Sequence, residues 1–259
     1  MFPVICEIGP LKIYSYGLTA AVAFLVCCIL AERDAKRVGI RSGVVSDLVL
    51  WLAVGGIIGA RIFYVVTFFS EFFPHNLSDI IMIQKGGLSW QGGLIGALAT
   101  GRVFVRRCGL PWMMMLDFVA PYAALGQAIG RIGCFLNGCC YGRHWDHGIY
   151  FPVHEDTLYP TQLFDAAGLL IIFIILKFQR LLLPLFTKEG AGGSSKGVLH
   201  GLIFAQYLML APILRFVIEF FRADHDMLYA GLSLYQWICT GLFLAGSILF
   251  FRIKNHARH

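Results

Sequence analysis

Seven apolar runs divide the 259-residue sequence, at 13–31, 46–69, 88–105, 112–137, 161–183, 198–221 and 232–252. Each is close to the about 20 helical residues needed to cross the roughly 30 Å hydrocarbon core of a bilayer. In hydrocarbon every backbone N–H and C=O must find its partner within the protein, so runs of this length read as membrane-spanning helices. Composition agrees. Only 14% of residues are charged and 58% are hydrophobic, whereas a soluble domain carries about 25% charged residues. The 29 glycines and 22 phenylalanines suit helices packed closely in lipid. The sequence therefore predicts an all-α membrane protein, residues 1–259 forming a single polytopic membrane domain of seven transmembrane helices without internal repeat.

Loop charges orient the predicted bundle. Arg33, Lys36, Arg37 and Arg41 follow the first run, Arg106 and Arg107 the third, Lys188 and Lys196 the fifth, and Arg252, Lys254 and Arg258 the last. The intervening loops hold few basic residues: Lys85, Arg143 and Arg222. Basic loops face the cytoplasm, so the N-terminus is expected outside and the C-terminus inside. The first run continues into "ERDAKRVGIR" with no small-residue cleavage pattern and is expected to stay as an anchor. The segment "TKEGAGGSSKG" at 187–197 reads as a flexible cytoplasmic linker. The net charge of +6 is scattered between apolar runs, with no basic stripe of the kind that binds nucleic acid.

Eight cysteines raise the question of metal or disulfide chemistry. Cys6, Cys27, Cys28, Cys108 and Cys239 lie in or near the apolar runs, where cysteine acts as a small hydrophobe. Cys134, Cys139 and Cys140 are denser and are followed by His144 and His147. Their spacing matches no common zinc pattern, and they are read as small residues packing at a helix end, with no metal and no cofactor expected.

Charges at membrane depth carry more information. Burying one costs at least about 2.5–3.5 kcal/mol, so such residues face the bundle interior or a watery cavity. Arg61 lies within "GGIIGARIFYVV", Arg131 within "GRIGCFLNG", and Arg215 and Glu219 within "PILRFVIEFFR". Mutual pairing, Arg61 with Asp47 or Asp117 and Arg215 with Glu219, is one account of them. Arg131, flanked by Gly130 and Gly133, is the residue least readily given a partner, and glycine lets a backbone or ligand approach closely. Two unpaired guanidiniums, Arg131 and Arg215, converging away from the midplane point to an anionic ligand, and in a membrane that is a lipid phosphate.

Several segments also carry a resemblance. "GRIGCFLNGCCYGR" at 130–143 resembles the signature of the phosphatidylglycerol:prolipoprotein diacylglyceryl transferases. "YSYGL" at 14–18 with Tyr16, "GARIFYVV" at 59–66, "GGLSWQGGLIG" at 86–96, "YPTQLFDA" at 159–166, and "LRFVIEFFRADHD" at 214–226 followed by "GLSLYQW" at 231–237 resemble further motifs of that family, in its order. The resemblance implies a multi-pass protein of the bacterial inner membrane. It implies transfer of diacylglyceryl from phosphatidylglycerol to the lipobox cysteine of preprolipoproteins, forming a thioether and releasing glycerol 1-phosphate. Its partners are then the lipid donor and the signal peptide carrying that cysteine.

The acceptor cysteine is the nucleophile, so the enzyme must chiefly stabilise the leaving phosphate in a low-dielectric site. The resemblance implies Arg131, Arg215 and Gln91 as catalytic residues, and Arg131, Tyr16, Arg61, Asn137, Gly142, Arg215 and Glu219 as contacts to substrate. Two positions depart from the family pattern. Gln91 stands where many members have a histidine, and glutamine takes up no proton; it is expected to position the headgroup. Cys134 and Cys139 replace an asparagine and a glutamate of the signature. The alternatives are a paralogue with another acceptor, an idle lipid-binding protein, and a transporter with arginines along an ion path.

Overall fold

In the computed structural model the described residues are 4–8, 11–69, 77–82, 86–187, 200–223, 227–229 and 231–256. Among them are seven long helices: α1 (Ser15–Ala35), α2 (Val44–Thr67), α3 (Trp90–Arg107), α4 (Trp112–Asn137), α5 (Thr161–Thr187), α6 (Leu202–Glu219) and α7 (Leu234–His256). Each lies within a few residues of one predicted run. Five of them, α1, α2, α5, α6 and α7, are long and apolar enough to cross a membrane. Only 17–33% of their most apolar windows is buried within the protein, so their outer faces require an apolar surrounding. Ile171, Ile174, Phe178 and Leu181 form such a face on α5. Helices α3 and α4 carry polar groups along their length, Arg102 on the first and Asp117, Gln127 and Arg131 on the second. The expected linker, apart from Thr187, lies outside the described residues.

The all-α expectation needs one correction. Among the described residues three antiparallel hairpins flank the helices: β1 (Val4–Ile8) with β2 (Leu11–Tyr14) before α1, β3 (His144–Phe151) with β4 (Asp156–Leu158) between α4 and α5, and β5 (Met227–Tyr229) with β6 (Leu232–Ser233) between α6 and α7. Backbone groups in a connection between spans have no helical partner, and strand pairing satisfies them. In the second hairpin Tyr150 faces Thr157 and Phe151 faces Asp156. Phe151 is fully buried and meets Phe135 of α4 edge-on at 5.9 Å.

Contacts divide the chain into two compact units, one of Cys28–Met115 and one of Met1–Cys27 with Leu116–His259. In the first, α2 packs on α3 through small residues four apart, Gly55 and Gly59 against Gly92, Gly96 and Thr100. A Cβ on Gly59 would meet the Gly96 Cα at 2.8 Å and overlap the Gly92 carbonyl, and one on Gly96 would meet the Gly59 Cα at 2.9 Å. Helix backbones can approach this closely only where side chains are absent. Thr100 completes the seam, its Oγ1 standing 2.9 Å from Gly96 O on its own helix and 3.2 Å from the Trp51 carbonyl across it. Glu32 accepts from the backbone N–H of Gly43 at 2.8 Å, a carboxylate where the α2 dipole is positive.

In the second unit the core lies between α4, α5 and α6, where Ala120, Ala124, Ile172, Leu176 and Ile203 meet. Asp117 on α4 accepts from the backbone N–H of Gly201 at 2.5 Å and of Phe204 at 2.8 Å, closing the N-terminus of α6 from a neighbouring helix. The start of α7 closes itself. Ser233 Oγ accepts from Gln236 N at 3.3 Å, while Gln236 Oε1 accepts from Ser233 N at 2.9 Å, a reciprocal capping box.

Candidate active site

The second unit gathers its charges where α4 ends, α5 begins, α6 ends and α7 begins. Arg215 and Glu219 are one turn apart on α6 and pair at 2.8 Å, as i,i+4 residues on one face can. Arg131 on α4 pairs through Nε with Asp165 Oδ2 of α5 at 2.7 Å. The same Asp165 oxygen stands 3.8 Å from Arg215 Nη1, and Arg222 Nε lies 3.9 Å from Glu219 Oε2. Both arginines are thus paired, which corrects the expectation of two unpaired guanidiniums. A charge left alone in low dielectric would be too costly. The mutual pairing of Arg215 with Glu219, the competing account of these charges, is the one present.

Burial gives the cluster a direction. The side chains of Asp165 and Glu219 are 5% and 1% exposed, whereas those of Arg131 and Arg215 are 25% and 20% exposed. The carboxylates sit behind and the guanidiniums in front. Three guanidiniums face two carboxylates, so one positive charge is in excess. Arg131 meets Asp165 through Nε, on the side of a guanidinium that is one quarter exposed. Among the described residues, nothing beyond its own stretch of helix lies within 4 Å of where a Cβ on Gly130 would stand. Gly133, in contrast, packs on Thr19 and Tyr16 of α1. Tyr16 is exposed and sits in the electrostatic field of Arg131 and of Cys134, Cys139 and Cys140.

Buried hydrogen bonds fix this front from behind. Ser233 Oγ donates to Glu219 Oε1 at 3.1 Å, and the Arg215 guanidinium lies 5.9 Å from the Tyr235 ring centre. Gly142 donates to Tyr159 O at 3.0 Å, and Arg143 N donates to Phe221 O at 2.8 Å. The signature segment is thereby stitched to the start of α5 and the end of α6. Gly142 is buried there, and a Cβ on it would meet Phe221 O at 2.7 Å. Asn137 closes α4 and reaches Cys139 with its side chain.

Gln91 and Arg61 belong to the other unit. Gln91 is exposed in the first turn of α3, and its Oε1 accepts from Ser89 Oγ at 2.6 Å. Arg61 does not pair with Asp47 or Asp117. It donates to the backbone carbonyls of Ile80 at 2.9 Å, Gly86 at 2.6 Å, Gly87 at 2.8 Å and Asp79 at 2.5 Å. Its guanidinium thus organises the loop before α3, where Gly87 adopts φ +76 and a Cβ would stand 2.7 Å from Arg61 Nη1.

Sequence reasoning missed Asp165 and Arg222. Asp165 sits in an apolar run, so the rule applied to the arginines marks it as well: a carboxylate at that depth needs a cation. Arg222 gave no such signal, because it follows the apolar run and reads as a loop charge.

A sequence model of the prolipoprotein diacylglyceryl transferases matches residues 3–252. The chain is 34% identical to the phosphatidylglycerol–prolipoprotein diacylglyceryl transferase of Idiomarina loihiensis, over 98% of this chain and 93% of that protein. It is 35% identical to the enzyme of that name from Trichormus variabilis, over 87% and 80%, and 34% identical to one from Acinetobacter baumannii, over 95% and 88%. A match along nearly the whole chain, through every element that builds the charged cluster, places it: this protein belongs to the prolipoprotein diacylglyceryl transferase family.

Proposed function

We propose that the chain transfers the diacylglyceryl group of phosphatidylglycerol to the lipobox cysteine thiol of preprolipoproteins, forming a thioether and releasing glycerol 1-phosphate. The observation that carries this reading is the guanidinium front of Arg131 and Arg215, which together with Arg222 holds one positive charge in excess over Asp165 and Glu219. A phosphodiester carries one negative charge and matches that excess. The part-exposed guanidinium of Arg131 offers a planar fork to two phosphate oxygens. As the thiol attacks the glyceryl carbon, the C–O bond breaks and charge grows on the leaving phosphate, where fixed guanidiniums stabilise it most. Tyr16 donates a hydrogen bond to the headgroup, and Asn137 and Glu219 position the signature turn and Arg215. Arg61 and Gly142 act through backbone, ordering the loop before α3 and the turn after α4. Gln91 orients the headgroup.

The chain is further proposed as one membrane domain of seven spans in the bacterial inner membrane, N-terminus outside and C-terminus cytoplasmic. Support comes from the second unit, where the ends of α4 and α6 and the starts of α1, α5 and α7 share one pole. The test is mass spectrometry of a lipobox peptide incubated with the protein and phosphatidylglycerol, with zwitterionic phosphatidylethanolamine as comparison donor. A diacylglyceryl mass increment on the cysteine, with phosphatidylglycerol much preferred, is expected. An unmodified peptide, or equal turnover of the two lipids, overturns the reading.

A further inference from the structure

Three thiols meet at the end of α4. Cys134 lies on the helix, one turn beyond Arg131, and Cys139 and Cys140 lie on the turn that follows. Their Sγ atoms are all within 4.8 Å of one another, the one such group of three ligating side chains among the described residues. Cys134 is buried and the other two are half-buried. His144 and His147 are not part of the group.

The backbone holds the thiols there under constraint. Cys140 has φ +62, a left-handed conformation that a residue with a Cβ adopts only when its surroundings impose it. Two buried side chains at the start of α5 impose it: Thr161 Oγ1 donates to Cys140 O at 2.9 Å, and Gln162 Nε2 donates to Cys139 O at 2.7 Å. Small residues that merely filled space would need no such fixing. Zinc–sulfur bonds of about 2.3 Å place neighbouring sulfurs roughly 3.8–4.0 Å apart around one ion, inside the span observed. Three thiolates on Zn2+ carry one net negative charge, and the guanidiniums of Arg131 and Arg222 lie in the field of Cys140.

We infer that Cys134, Cys139 and Cys140 form a three-thiolate zinc site whose fourth position takes the acceptor thiol, an inference that rests on the diacylglyceryl transfer reading. Three protein ligands and one open position are the arrangement of a catalytic zinc, and a thiol bound to zinc gives up its proton. This supplies what Gln91 cannot. The acceptor thiol loses its proton to water on binding zinc, and its sulfur attacks the glyceryl carbon. The C–S bond forms as the C–O bond breaks, and the electron pair leaves with glycerol 1-phosphate. The neutral thioether is a weaker ligand than a thiolate and leaves the ion, which neither gains nor loses electrons.

The test uses the full chain purified in lipid nanodiscs with zinc supplied and the excess removed. One zinc per chain is expected by elemental analysis, retained in Cys108→Ser and lost in Cys139→Ser and Cys140→Ser. Cd2+ added to the chelated wild-type protein is expected to give an ultraviolet thiolate charge-transfer band, which requires no folded variant. With Co2+ in its place, a lipobox peptide is expected to shift the visible spectrum, and its Cys→Ser counterpart to leave it unchanged. Chelation is expected to slow transfer by about 10-fold near neutral pH and to make the rate rise with pH towards the free thiol pKa of about 8.5. Substoichiometric zinc without the cadmium band, or a disulfide among these cysteines in the active protein, overturns the site. Unchanged transfer after chelation overturns its catalytic role and leaves the transferase reading intact. Stoichiometric zinc and peptide-dependent cobalt spectra without any transfer overturn the transferase reading instead.

Discussion

Asp165 Oδ2 lies 2.7 Å from Arg131 Nε and 3.8 Å from Arg215 Nη1, so one buried carboxylate spaces the guanidiniums of two other helices. Asp165→Asn keeps the shape and removes the charge. Breaking a buried pair from one side costs about 3–5 kcal/mol, so the unfolding midpoint is expected to fall. Repulsion between Arg131 and Arg215 is expected to lower kcat more than it changes KM for the lipid. Wild-type thermal stability and kcat together in Asp165→Asn would remove the spacing role.

Arg131 and Gln91 separate by magnitude. Arg131→Lys keeps a charge and loses the planar fork, and the rate is expected to fall roughly 100-fold or more, as for a lost oxyanion contact. Gln91→Ala removes about one hydrogen bond, worth roughly 0.5–1.5 kcal/mol, and is expected to cost no more than about 10-fold. Turnover of each variant in membranes with equal protein decides it. A dead Gln91→Ala beside a near-normal Arg131→Lys would reverse the assignment.

The glycine seam of α2 and α3 is expected to tolerate no side chain. In Gly96→Ala the new Cβ stands 2.9 Å from the Gly59 Cα and overlaps the Gly55 carbonyl; backbone cannot yield as a flexible side chain does, and overpacking costs typically about 1–3 kcal/mol. Gly130→Ala meets no atom of the described residues beyond its own helix and serves as the comparison. Thermal unfolding in detergent should show a lower midpoint for the first and little change for the second.

The hairpin of β3 and β4 is expected to respond to pH. His144 Nδ1 lies 2.7 Å from Asp156 Oδ1, and hydrogen bonds to Asp156 and then Asp146 raise the His144 pKa. Asp156 is lowered by His144 and by the Thr157 N–H. The histidine contribution is fully present below its unfolded pKa of about 6.5 and is lost as pH rises through the raised folded value. The aspartate contribution is present above about 3.9 and is lost as pH falls through the lowered folded value. Both groups are exposed, so the effect is confined to the hairpin. Amide protection relative to the intrinsic exchange rate in residues 149–157 should be greatest between those limits, and His144→Ala should abolish the alkaline loss.

The proposed seven spans with an external N-terminus are expected to place a reporter fused after His259 in the cytoplasm. A cysteine at Val153, which is 56% exposed on the hairpin, should react with an impermeant reagent added from outside. An external C-terminus would break this topology.

The seven apolar runs were enough to locate the helices, because the need to satisfy backbone groups within a lipid-length segment is a local constraint. The arginines stood out for the same reason: a charge amid 20 apolar residues is legible without knowing its neighbours. The family signature was legible too, since it is a linear pattern. Which charges meet was not. Asp165 and Arg131 are separated by a hairpin and the end of one helix, and only the packing of α4 against α5 joins them. The three hairpins escaped because short pairings in connections leave no long periodic pattern. Arg61 went to loop carbonyls, not to Asp47 or Asp117, because a guanidinium takes whichever acceptors the fold brings to it. The cysteines changed meaning most. Along the chain they fit no metal spacing, and only the turn held by Thr161 and Gln162 brings their sulfurs together.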